Sequence, residues 1–124
     1  MKKLIRMMTV VAGLSVWHAF AFADMPEPKT KAENPYVVAG RKAIEAKDFK
    51  SAVDVLTKAV LDEPKNANAH SMLGYSYRKV GSFDKSREHY HAALKIDADH
   101  RSAHEYLGEL YLDMHQPARA EEQL

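Results

Sequence analysis

Histidine is the side chain with the widest chemical reach in this sequence, and six of its seven copies lie in the second half: His70, His89, His91, His100, His104 and His115. His100 and His104 are four residues apart, so one face of a helix would carry both, with Asp97 and Asp99 near. That spacing can hold a metal ion. No His-Glu-x-x-His string accompanies it, and two imidazoles are an incomplete ligand set. Structural or surface histidines are therefore the leading reading, and no residue pattern asks for a cofactor. A second consequence of the histidines is a response to pH. Removing residues 1–23 leaves fifteen Lys and Arg against seventeen Asp and Glu, a net charge of −2, which six protonated imidazoles would raise to +4. If His70 and His104 lie in an apolar core, charging them weakens folding below about pH 6.

Other chemistry is harder to place. The chain has no Cys, no G-x-S-x-G elbow, no phosphate-cradling glycine loop and no dinucleotide fingerprint. Catalysis needs a nucleophile or a tuned acid/base pair inside a pocket, and the expectation is that this chain is not an enzyme. Its near-balanced charge gives no reason to expect nucleic acid, whose binding rests on clustered positive charge.

The elements that position these residues follow a period of 34. With Glu33, Ala67 and Arg101 as first positions, the eighth is Gly40, Gly74 and Gly108, and no gap is needed. The fourth is Tyr36, His70 and His104; the twentieth is Ala52, Ser86 and Ala120. Such a period predicts stacked helix–turn–helix units, each with an apolar flank that only its neighbour covers. The fold class expected is all-α, an α-solenoid of antiparallel helix pairs. In the first unit Asn34 caps a helix opened by Pro35, with Tyr36, Ala39, Gly40 and Ala43 facing inward. Asp48 caps the second helix, whose inward set is Ala52, Val55, Leu56, Ala59 and Val60. Asn66, Ser82 and Asp99 are the later cap candidates, and Gly81 suits a tight turn. A glycine inside a helix costs about 1 kcal/mol relative to alanine, so three at one register predict close helix approach.

The ends read differently. Lys2, Lys3 and Arg6 precede an apolar run from Met7 to Trp17, closed by Ala21-Phe22-Ala23. This is the layout of a signal peptide at 1–23, too short to span a bilayer, and no Cys offers a lipid attachment point. The expected product is exported, to a bacterial periplasm, without a stable membrane span after cleavage. Residues 24–32 read as a flexible lead-in and 33–124 as the repeat domain, with units 33–66, 67–100 and an incomplete 101–124. The incomplete unit would leave Tyr106, Leu107, Leu110 and Leu112 partly uncovered. Either a longer parent protein or self-association through that C-terminal face accounts for this.

The string Leu73-Gly74-x-x-Tyr77 with Ala93, its echo Leu107-Gly108-x-x-Tyr111, and the Ala52/Leu56/Ala59/Pro64 set resemble the tetratricopeptide repeat. The resemblance spans about 33–124. It departs from the family at the fourth position, where Trp is frequent, at Ala39, and at Ala98 in place of the Pro that Pro64 provides. It implies an adaptor that binds a protein or an extended peptide in a concave groove lined by the first helix of each pair. Carried over position by position, the implied groove takes Asn34, Val37, Arg41, Ile44 and Glu45 from the first unit. Asn68, Ser71, Tyr75, Arg78 and Lys79 come from the second, and Ser102, Glu105, Glu109, Leu112 and Asp113 from the third. A basic middle (Arg41, Arg78, Lys79) would then receive an acidic group or C-terminal carboxylate, with Asn34 and Asn68 bonding the ligand backbone. The bland alternative is a solvated helix face. The Lys/Asn clamp of chaperone-binding members is absent, since its positions here include Val37, Met72, Ser102 and Tyr106. Two further classes stay open: a metal- or pH-responsive binder built on the histidines, and a self-associating structural scaffold.

Overall fold

The computed structural model describes residues 31–124; residues 1–23, expected to be a leader, and most of the expected lead-in lie outside them. Six helices follow in order: α1 (Pro35–Glu45), α2 (Phe49–Asp62), α3 (Ala67–Lys79), α4 (Phe83–Ile96), α5 (Arg101–Asp113) and α6 (Pro117–Glu121). Each helix packs on its successor, and α3 additionally touches α1 and α5. The first helices of the three units therefore lie side by side along one face, as the 34-residue period requires.

Caps explain where the helices begin. Asn34 accepts the Tyr36 N–H, Asp48 the Ser51 N–H and Asn66 the Ala69 N–H, each satisfying an amide that has no partner within its own helix. Two expected caps differ. Ser82 makes no side-chain cap bond. The cap of α5 is His100 rather than Asp99, because its Nδ1 accepts the Ala103 N–H at 3.1 Å. Within each pair the helices turn on one residue of positive φ: Lys47 (57°), Gly81 (83°) and His115 (58°), all at the fifteenth register position. The amide that follows bonds back five residues, Asp48 to Ala43, Ser82 to Tyr77 and Gln116 to Tyr111. This is the six-to-one bond of a left-handed helix terminus, which Gly81 adopts without a Cβ penalty.

Burial divides between two clusters. One joins Val37, Ala52, Leu56, Ala59, Ala69 and Leu73; the other joins Tyr90, Ala93, Ala103, Leu107, Leu110, Tyr111 and Ala120. Leu107 and Leu110, expected to be partly uncovered, are fully buried because α4 and α6 flank α5; Leu112 alone of the aliphatic set is open, at 55 % exposure. On α1 the inward residues are Val37 and Gly40, whereas Tyr36 and Ala39 are exposed. Only α2 and α3 pack on α1 among the described residues, so its other flank has nothing to bury against.

The three glycines separate into two kinds. A Cβ built on Gly74 would meet the Tyr90 ring at 2.9–3.1 Å, and one on Gly40 would fall inside the Leu56 side chain. Gly108 has room: its nearest neighbours would be the Ala120 carbonyl at 3.6 Å and the Gln123 Cβ at 3.7 Å. The residue sixteen positions on is Leu56, Tyr90 or Leu124, and Leu124 is 97 % exposed. The large side chain that fills the notch in the first two units does not fill it in the third.

Tyr90 closes the second notch at a cost. Its ring is fully buried and its hydroxyl has no hydrogen-bond partner, so burial pushes the phenol well above its usual range. Ser86, one turn before it, donates its own proton to the Gly74 carbonyl at 2.7 Å. Tyr90→Phe removes an unpaired buried oxygen while keeping the ring, and is expected to raise stability by about 1 kcal/mol. The midpoint of urea unfolding reads this, and a fall in the midpoint at unchanged slope would contradict it.

Candidate functional site

The side-by-side first helices enclose one concavity of about 440 Å³. α1 contributes Arg41, Ile44 and Glu45; α3 contributes Asn68, Ser71, Met72 and Tyr75. His100, Ser102 and Tyr106 close it from the α5 side. Its floor is aromatic. The Tyr75 and Tyr106 rings lie 5.1 Å apart at 54°, Phe49 meets Tyr75 edge-on at 6.1 Å, and Lys79 Nζ sits 5.3 Å from the Tyr75 ring centre. Polar atoms form the rim: His100 Nδ1 accepts from Ala103, so Nε2 carries the ring proton and donates to Asn68 Oδ1 at 2.7 Å.

Arg41, Asn68, Ser71 and Tyr75 thus come together in the concavity, and Lys79 borders it through the Tyr75 ring. Asn34 does not belong to it. It is 5 % exposed, caps α1 through Oδ1 and donates from Nδ2 to Asp62 at 2.6 Å, so it has no free amide for a ligand backbone. Val37, another position carried over from the family pattern, is buried in the core at 2 % exposure.

Two of the three cations of the expected basic middle, Arg41 and Arg78, are already paired with carboxylates. Arg78 Nη1 donates to Glu109 at 2.5 Å and its Nε to Asp113 at 2.7 Å, with the Arg78 side chain only 12 % exposed. These bonds tie α3 to α5 across the unit boundary. Arg41 donates two bonds to Glu33, one turn ahead of α1. Glu105 pairs with Arg101 four residues before it, on an exposed face where such a pair adds little. An ion-paired groove of this kind is poorly suited to hold a carboxylate, because an incoming acid must compete with carboxylates already in place.

Met72, Tyr106 and His100 complete the concavity beside the expected Ile44, Glu45 and Ser102, although the sequence did not assign them to it. Val38, Met72 and Tyr106 share the sixth register position, and a recurring apolar residue there is the signal that could have drawn attention to that face.

The histidines do other work. His100 and His104 make no common site, since His104 bonds Gln123 through Nδ1 and the Ala98 carbonyl through Nε2. His70 does the same one unit earlier, to His89 at 3.1 Å and the Pro64 carbonyl at 2.9 Å. Neither ring lies in an apolar core as expected: each reaches back six residues to fasten the preceding loop. His89 is additionally stacked on Tyr77, with ring centres 5.6 Å apart. Among the described residues no three His, Cys, Asp or Glu side chains converge as a metal-binding group, and no helix is long and apolar enough to cross a membrane.

With this geometry in view, comparison with known proteins is informative. The family model for the tetratricopeptide repeat matches residues 67–100. Among solved structures, MamA from Desulfovibrio magneticus RS-1 is 25% identical and superposes with a TM-score of 0.68 over 71% of this chain and 50% of that one. MamA AMB-1 gives 23% identity and a TM-score of 0.65 over 71% and 52%, and MamA MSR-1 gives 23% and 0.66 over 71% and 51%. The chain spans about half the length of these structures. Residues 67–100 are a tetratricopeptide repeat, and the helix pairs on either side continue it as a tetratricopeptide-repeat α-solenoid.

Proposed function

We propose that this chain is a non-catalytic adaptor, exported to a bacterial periplasm, that holds an extended segment of a partner protein in the concavity of α1, α3 and α5. The observation that carries the reading is that concavity, built from the first helix of each unit and floored by aromatic rings that are only partly buried. Repeat scaffolds use such extended concave surfaces for partners. Both nitrogens of the groove histidine His100 are engaged by Ala103 and Asn68, so that imidazole is not a free base for Ser71 or Ser102. Export rests on the basic, apolar and small-x-small pattern of residues 1–23.

Placing a photocrosslinking amino acid at Ser102, on the groove, and at Lys58, on α2, tests the adaptor role in cells. Partner adducts at 102 and none at 58 support it; equal labelling at both removes the groove from the account. An alkaline phosphatase reporter fused after Leu124 reads export, since it is active only when carried across the inner membrane. A second reading, a pH-responsive binder, is favoured by the 3.1 Å contact between His70 and His89.

A further inference from the structure

From the charge pairing in the groove we infer that its occupant is an uncharged segment anchored by one bulky apolar side chain, and not an acidic tail. The inference rests on the adaptor reading and specifies the chemistry of the same site.

Three observations carry it. First, the arginine on the lining, Arg41, is already matched by Glu33, and Arg78, one turn past Tyr75 on α3, is matched by Glu109 and Asp113, with the Glu45 carboxylate also on the lining. A ligand carboxylate would displace an existing partner from Arg78, whose head is mostly shielded from water, and would meet Glu45 as a like charge. A neutral ligand disturbs none of these pairs. Second, the floor is made of Tyr75, Tyr106, Met72 and Ile44, apolar side chains that rest against the two core clusters and stay partly open to the concavity. Aromatic faces tilted at 54° accept an aliphatic or aromatic side chain against two surfaces at once. Lys79 leans over the Tyr75 ring, a further use of cation in stabilising the floor and not in presenting charge. Third, the rim offers neutral hydrogen bonding. Asn68 accepts from His100 through Oδ1, which leaves its amide N–H groups to donate to a passing backbone carbonyl, and the Ser71 and Ser102 hydroxyls flank it. Apolar floor with neutral polar rim is the arrangement by which a groove takes one buried anchor and an extended chain.

The test is selection from a random decapeptide library displayed on phage, with the full chain as bait, followed by titration of the synthetic enriched peptides. The expected sequences share a Leu, Met, Phe or Trp without a neighbouring acid. Their affinity should change less than twofold between 50 and 500 mM NaCl (about the span over which phosphate- or carboxylate-driven binding loses orders of magnitude). Ser102→Trp fills the concavity from an exposed position without removing packing, and should weaken binding at least tenfold. Tyr106→Ala should do the same, with circular dichroism confirming retained helix for both variants. Enriched peptides that are acidic, lose affinity in salt and depend on Arg78 would overturn the apolar occupant while keeping the groove. Peptides indifferent to Ser102→Trp would overturn the groove itself, and no enrichment over an empty bait would overturn both.

Discussion

Gly74→Ala is expected to lower the melting temperature by roughly 5–15 °C, the range that follows from about 1–3 kcal/mol of overpacking in a domain of this size. The new methyl would meet three atoms of the Tyr90 ring at 2.9–3.1 Å, and that ring is fully buried, so it has nowhere to swing. Gly40→Ala should behave alike, because the Leu56 side chain it strikes is equally enclosed. Gly108→Ala should do the opposite. Its methyl finds only ordinary van der Waals distances of 3.6–3.7 Å, so the helix propensity gained on leaving glycine, about 1 kcal/mol, is not offset. Thermal unfolding of the three single variants beside the parent checks the whole pattern. The informative quantity is the difference in sign, and a loss at Gly108 as large as at Gly74 would mean that α6 approaches α5 more closely than described.

Acidification from pH 7 to pH 5 is expected to destabilise the chain, and His89→Gln is expected to remove much of that sensitivity. The argument begins with hydrogens. The Pro64 carbonyl can only accept, so His70 Nε2 carries a proton, and in neutral His70 the Nδ1 must accept from the Nδ1–H of His89. One extra proton is tolerated, on His89 Nε2 as the bond stands or on His70 Nδ1 if His89 changes tautomer. A second places two N–H donors head to head at 3.1 Å. Accordingly His89 is held below the ordinary histidine value by burial and then by the charge of His70, with Glu88 opposing. Tyr77 stacks on its other face, and Lys85 lies 5.5 Å over the Tyr77 ring. His91 is lowered as well, by burial and then by Arg87, and its Nε2 meets the Tyr111 hydroxyl at 3.3 Å. For such depressed groups the unfolded chain takes up protons first. Stability is therefore complete above about pH 6.5 and is lost as pH falls toward the folded-state values. Gln occupies the corresponding position of the third unit, 3.2 Å from His104 Nδ1; at position 89 its side-chain N–H can donate to His70 Nδ1, and it cannot titrate. Melting temperatures at half-unit pH steps for parent and His89→Gln decide the matter, and parallel curves would refute the role given to this pair.

The fold was legible because its signals repeat. Asn34, Asp48 and Asn66 name their helix starts through side chains that can bond a backbone amide, and the 34-residue spacing of Gly40 and Gly74 reports a real shortage of space. Gly108 carries the same letter without the same cause, which a period alone cannot reveal. The groove was less legible, for a physical reason. Register says which face a residue occupies, but not whether its charge is answered from a neighbouring helix. Arg78 reads as a free cation until Glu109 and Asp113, 31 and 35 residues away, are seen to close on it. Asn34 was read twice, as a cap and as a ligand donor; its burial beside Asp62 leaves only the first. The register puts His70 and His104 at a core position, yet imidazole in that slot reaches a loop carbonyl instead of filling volume.

Lys47, Gly81 and His115 take the same left-handed backbone although only one of them is glycine. The corner between paired helices is thus written in torsion angles and tolerates unlike letters, with a lysine or an imidazole accepting the strain that glycine avoids. A hairpin corner of this sort can keep its shape long after its spelling has drifted. That is how the flanking pairs can share the architecture of residues 67–100 without sharing its letters at the corner.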